Sequence, residues 1–174
     1  MERPLAGRML LAFGAKFCLA LMMLAPLWWL CLPAYGWLLV QGCGGVLKGL
    51  AGMPILAGRV EVQGILNTES LLAFYVGDRE RVMKFALLVT NLPPFIALVI
   101  ATPDLAWRRR LRIALCGAAI LVAGHALYIV VALRFGALLA DNGELSTALS
   151  QFFLTLPFVL WIALAYWRRD APGV

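Results

Sequence analysis

The sequence predicts an all-α membrane protein: four transmembrane helices, with a small extracytoplasmic β-hairpin insert between helices 1 and 2. Three observations carry that expectation. Of 174 residues, 63% are apolar and the mean hydropathy is +0.90, against about 45–50% apolar in a soluble domain. The apolar residues gather in runs of about 20, the length that crosses a hydrocarbon core about 30 Å thick. The cations gather at the ends of those runs: Arg3 and Arg8, then Arg108, Arg109, Arg110 and Arg112, then Arg168 and Arg169. Under the positive-inside rule these groups mark one cytoplasmic side, facing lipid headgroups. Residues 1–174 are expected to form a single multi-pass domain of a bacterial inner membrane, with both termini cytoplasmic.

The first helix is expected over about Met9–Leu32. The stretch is too long for a signal peptide and lacks an A-x-A site, so it reads as retained. Lys16 is placed to snorkel toward headgroups, Trp28 and Trp29 suit an aromatic belt, and Pro26 is a kink site. Residues 33–52 leave three readings open: an outward extension of the first helix, an interfacial amphipathic segment, or a separate crossing. Gly42, Gly44, Gly45 and Lys48 weigh against the last.

The insert, about 33–82, contains two strand-like runs, Arg59–Ile65 and Ser70–Val76, joined by an NTE turn and punctuated by Gly58, Gly64 and Gly77. The charge-balanced GDRERVMK caps it. A lone hairpin is marginal in water, so this one is expected to pack on helix ends or on a partner. The second helix, about Met83–Thr102, contains Pro93 and Pro94, which remove two backbone donors and bend or unwind it. Beyond the arginine turn, the third helix runs over about Leu111–Arg134. FGALLADNGELS reads as a short loop, and the fourth helix returns over about Thr147–Trp167.

The net charge of +6 does not point to nucleic acid, because the cations sit at helix ends rather than on one face. Cys18, Cys31, Cys43 and Cys116 have no CxxC spacing and His125 is the sole histidine, so neither a metal site nor a cofactor is expected. Cys31 and Cys43 form a candidate outer-face disulfide. The expected partners are the bilayer and another integral membrane protein.

The residues able to carry chemistry are few. His125 lies near the middle of the third helix, where an ionisable group is a functional candidate; the competing reading is one interhelical hydrogen bond. Thr90, Asn91, Ser150, Gln151 and Thr155 are the other polar residues of the apolar helices. Asn91, Tyr128, Ser150 and Gln151 form a candidate polar cluster with His125. Thr90 with His125 is the one conceivable nucleophile–base pair, and no acid orients it. Interhelical bonding is the preferred role for the set.

The order of parts carries a resemblance. A hairpin precedes a helix beginning VTNLPP; a basic turn, WRRRLRIAL, leads into a helix containing HALY; a polar loop leads to a last helix with QFFLTLPFVLWI (Gln151–Ile162). This layout resembles the exosortase/archaeosortase family of membrane transpeptidase-like proteins. That family has Cys, Asn-x-x-Arg and His where this chain has Thr90 or Asn91, His125 with Tyr128, and Ser150–Gln151. The chain is more similar to the small non-catalytic membrane proteins associated with one exosortase type. The resemblance implies an accessory protein of a surface-protein sorting or export system, and more often no enzyme than an enzyme. A structural subunit of another membrane complex, or a divergent transpeptidase or protease using Thr90 and His125, are the alternatives.

Overall fold

A computed structural model describes residues 3–49, 52–64, 67, 69–103, 105–141 and 143–166, with side chains outside the description at 3–6, 87, 137–141, 143–147 and 150. Its elements are α1 (Arg3–Gly49), β1 (Ile55–Glu61), β2 (Leu71–Val76), β3 (Arg79–Lys84), α2 (Ala86–Val89), α3 (Leu92–Ala101), α4 (Trp107–Asp141) and α5 (Gly143–Tyr166). The protein is mostly helical, with one small three-stranded sheet. Two described helical stretches are long and apolar enough to cross a membrane, 7–49 and 107–136. Leu92–Ala101 and Gln151–Tyr166 are apolar but shorter.

Helix α1 is a single shaft of 47 residues, about 70 Å long. It continues through Pro26, Pro33 and the glycines at 42, 44 and 45, so residues 33–49 extend the first helix rather than forming a separate segment. Packing explains why the glycines do not end it. Leu32, Leu39, Val40, Cys43 and Leu47 fall at helical spacing on one buried face, against Leu72 and Phe74 of β2 and Ile129 and Leu133 of α4. That tertiary burial outweighs about 1 kcal/mol lost per glycine. Gly36 is required where it stands, since a Cβ there would lie 2.7 Å from the Phe85 ring. Trp28 and Trp29 pack half-buried against this cluster.

The expected hairpin is present in part and has a third strand. β2 falls within the expected Ser70–Val76, but the strand expected at Arg59–Ile65 is β1 at Ile55–Glu61, four residues earlier, because its pairing with Leu71–Val76 sets its bounds. β1 pairs with β2, and β2 with β3, both antiparallel. GDRERVMK, expected as a cap leading into a helix at Met83, instead turns at Gly77 (φ +57°) and returns as β3. Its alternating charges suit an edge strand, where they discourage pairing with another chain. One sheet face, with Leu72 and Phe74, lies on α1; the other carries Arg59, which contacts Glu61 at 2.6 Å and Glu80 at 3.0 Å and covers the Tyr75 ring.

Helix α3 is central. Phe95, Ala97, Leu98, Val99 and Ala101 are all buried, as an apolar helix enclosed by neighbours must be. It meets Leu105, Ile113 and Leu121, and beyond them Leu156, Leu160 and Trp161 of α5. On α4 the buried residues Ile113, Gly117, Leu121, His125, Ile129 and Leu133 recur every four positions. A Cβ at Gly117 would lie 1.9 Å from Phe95, so glycine sets how closely α3 and α4 approach.

The expected loop at Phe135–Ser146 is largely helical. Helix α4 kinks at Phe135 (φ −119°, ψ 21°), continues to Asp141, and α5 begins at Gly143. The Cys31–Cys43 disulfide is excluded. Both residues are on α1 as free thiols, Cys31 exposed and Cys43 buried. Twelve positions separate them by about 18 Å, far beyond the roughly 7 Å that a disulfide spans.

Candidate functional site

Polar side chains converge where α1, α3, α4 and α5 meet, and local backbone chemistry prepares the place. Pro93 and Pro94 have no N–H, so the carbonyls of Val89 and Thr90 receive no helical bond from them. Helix α2 stops after one turn, and α3 opens with proline in its first turn, where a missing donor is tolerated. Asn91 stands at the N-cap with helical dihedrals and makes no side-chain cap bond. Its amide is left for tertiary contacts, and the residue is 5% exposed.

Another proline prepares the acceptor. Pro157 lies inside α5, so Phe153, four residues before it, loses the donor its carbonyl would have had. Asn91 Nδ2 donates to that carbonyl at 3.2 Å. A carbonyl only accepts, so Asn91 turns its NH2 there and its Oδ1 toward His125 Nε2, 3.0 Å away. Nε2 therefore carries the proton. Nδ1 is the bare nitrogen of a neutral imidazole and accepts from the Tyr35 hydroxyl at 2.7 Å. Tyr35, His125, Asn91 and the Phe153 carbonyl form one directional chain through four helices. The imidazole is fully buried between the apolar cluster under the sheet and the cluster around Phe95.

The same device recurs elsewhere. Pro33 frees the Trp29 carbonyl, and Asn67 Nδ2 donates to it at 3.0 Å; Asn67 holds φ 65°, a conformation asparagine tolerates. Near the kink at Phe135, the Leu133 carbonyl accepts from Arg81 Nη1 at 3.0 Å. At the opposite end, Arg110 Nη2 donates to Thr102 O at 2.9 Å and Arg109 Nη2 to Ala165 O at 3.2 Å. These arginines satisfy the C-terminal carbonyls of α3 and α5, while Arg108 and Arg112 stay exposed.

Beside the chain, on the side of Asn91, lies a cavity of about 450 Å³ lined by Lys84, Leu88, Thr90, Asn91, Tyr128, Gln151, Phe153 and Leu154. Four residues singled out from sequence thus share one cavity: Thr90, Asn91, Tyr128 and Gln151. His125 stands behind Asn91. The Ser150 side chain, and Arg168 and Arg169, lie outside the described residues. Thr155 bonds within α5, to the carbonyls of Gln151 and Phe152.

Tyr35, Asn67, Arg81 and Lys84 were not singled out from sequence. One signal was available, since a proline inside a helix names its orphaned carbonyl four residues earlier, and Pro157 and Pro33 name Phe153 and Trp29. In form, Tyr35–His125–Asn91 is a nucleophile, a base and an orienting group. The cavity, however, opens on the orienting Asn91, and Tyr35 does not line it. Both imidazole nitrogens are engaged by Tyr35 and Asn91, so neither is directed at Thr90. What the arrangement does chemically is satisfy buried polar groups and lock four helices together. Among the described residues, no group of three or more His, Cys, Asp or Glu is placed to hold a metal ion. No protein-family model matches the chain, and neither a curated protein nor a solved structure matches it.

Proposed function

We propose that this chain is a multi-pass inner-membrane protein with both termini cytoplasmic, acting as a non-catalytic accessory subunit of an exosortase-like sorting or export system. The membrane part is supported by the surface. The chain exposes 11471 Å², against about 8,400 Å² expected of a folded soluble monomer of its 19.0 kDa mass. Much of the excess is apolar: Met9, Leu10, Leu11, Leu19, Met22 and Met23 of α1 are each 59–75% exposed. The most apolar 18-residue window of α1 contains no buried residue. The satisfied proline-freed carbonyls point the same way, since a bilayer offers no water to do that work.

The accessory part is carried by one observation. His125, the residue best suited to acid–base chemistry, has both nitrogens committed to holding helices together. Affinity purification of the full chain from native membranes in mild detergent, with mass spectrometry of what accompanies it, tests the reading. Recovery of a sortase-like membrane enzyme is expected. Recovery of an unrelated large complex would move the chain to the alternative role of structural subunit, and recovery of neither would remove the accessory reading. Loss of processing in a Thr90→Ala, His125→Ala double variant that still folds would favour the enzyme alternative.

A further inference from the structure

The cavity beside Asn91 has a composition the interhelical chain does not use. Among the described residues, Lys84 is its sole charged lining residue, and the described ion pairs involve Arg59, not Lys84. The Thr90 and Tyr128 hydroxyls and the Gln151 amide share the lining, while Phe153 and Leu154 supply an apolar wall. Among the described residues, the lining therefore offers one cation, several neutral hydrogen-bonding groups and no carboxylate. Its level is equally specific. Tyr128 is eighteen residues along α4 from Arg110, about 27 Å, close to the roughly 30 Å thickness of a hydrocarbon core. Next to the cavity, Leu127, Phe152 and Leu154 are 55–69% exposed, an apolar surface along which an acyl chain can lie.

We infer that this cavity binds the phosphate headgroup of an anionic phospholipid from the leaflet on the sheet side of the protein. Lys84 faces the phosphate as a point charge, and Tyr128 and Gln151 hydrogen-bond its oxygens or the glycerol. Phe153 and Leu154 meet the first part of the acyl chain. A basic pocket between helices at headgroup depth is the physical requirement for such a site. The inference rests on the membrane reading given above.

The test uses the full chain in phosphatidylcholine nanodiscs containing phosphatidylglycerol, with native mass spectrometry of retained lipid. Phosphatidylglycerol is expected to be retained over phosphatidylcholine, and Lys84→Gln to weaken that retention about fivefold. Lys84→Arg should keep it, Tyr128→Phe should weaken it while leaving thermal unfolding unchanged, and an Arg108→Gln, Arg112→Gln variant at the opposite end should leave it intact. Equal retention of both lipids, or no effect of Lys84→Gln, overturns the site. Displacement of the lipid by inorganic phosphate alone assigns the cavity to a free anion and also overturns it. Carbonate extraction of membranes separates the two claims. A chain that stays in the pellet without Lys84-dependent retention overturns the lipid site alone, whereas a chain released as soluble protein overturns the membrane reading and the site with it.

Discussion

If Asn91 serves the carbonyl that Pro157 orphans, the two residues must be energetically coupled although neither bonds the other. Asn91→Ala removes the acceptor of His125 Nε2–H and the donor to Phe153 O. Each buried group left unpaired costs about 1–3 kcal/mol in water-soluble proteins. Interhelical bonds in membrane bundles average about 0.6 kcal/mol with a maximum near 1.7, so a loss of about 1–3 kcal/mol is expected for the pair. Pro157→Ala returns a backbone N–H to position 157, which can bond Phe153 O along the helix. In that background Asn91→Ala strands only the imidazole N–H, and its cost should fall by about 1 kcal/mol. Reversible unfolding of the four proteins of the cycle in mixed detergent micelles reads this directly. Additivity within about 0.5 kcal/mol would refute the claim that Asn91 compensates for the proline.

Other expectations follow from single contacts. Gly117→Ala drives a methyl into the Phe95 ring and should destabilise by about 1–3 kcal/mol or more. At Gly124 an added Cβ meets Phe153 at an ordinary 3.5 Å, so Gly124→Ala should leave thermal unfolding nearly unchanged; equal effects at the two sites would show that α3 and α4 are not so close. Asn67→Gly keeps the left-handed backbone but loses the bond to Trp29 O, and should cost about 0.5–1.5 kcal/mol, most of it absent in a Pro33→Ala background. Tyr75 is held above the usual tyrosine range first by its hydrogen bond to Glu80 and then by burial, with Arg59 opposing. A raised folded value means its contribution is complete below the unfolded value near 10 and lost as pH rises through the folded one. Glu80→Gln should lower the midpoint of a phenolate absorbance titration; an unmoved midpoint contradicts the assignment.

Much of this arrangement was legible in the residues themselves. Apolar run length identified α1 and α4, the strand-like run Ser70–Val76 identified β2, and the expected break at Pro93–Pro94 falls where α2 ends and α3 begins, whereas the alternation of Arg59–Ile65 misplaced β1 by four residues. Of the expected polar cluster of Asn91, Tyr128, Ser150 and Gln151 with His125, the residues Asn91, Tyr128 and Gln151 line one cavity and His125 bonds Asn91 behind it, while the Ser150 side chain lies outside the described residues. What was not legible is set by contacts distant in sequence. For residues 33–49 the sequence leaves a helix extension and an interfacial segment both open, because the sheet that stabilises the extension arrives later in the chain. GDRERVMK reads as a polar cap, because an edge strand is defined by its neighbour and not by its own periodicity. Tyr35 and His125 are ninety positions apart, and nothing local in either residue announces the other. The second helix was expected at membrane-spanning length, but α3 has 10 residues, since β3 takes Met83 and Lys84 and the proline pair separates α2 from α3.

The proposed topology places the sheet and the basic turn on opposite sides of one bilayer. Single cysteines at Glu80 and at Arg108, in a background with the four native cysteines replaced, can be labelled with a membrane-impermeant maleimide on spheroplasts. The account predicts that the cysteine at position 80 reacts on sealed spheroplasts and that the one at 108 reacts only after permeabilisation. Equal labelling of both from outside, or protection of 80 with labelling of 108, would contradict it.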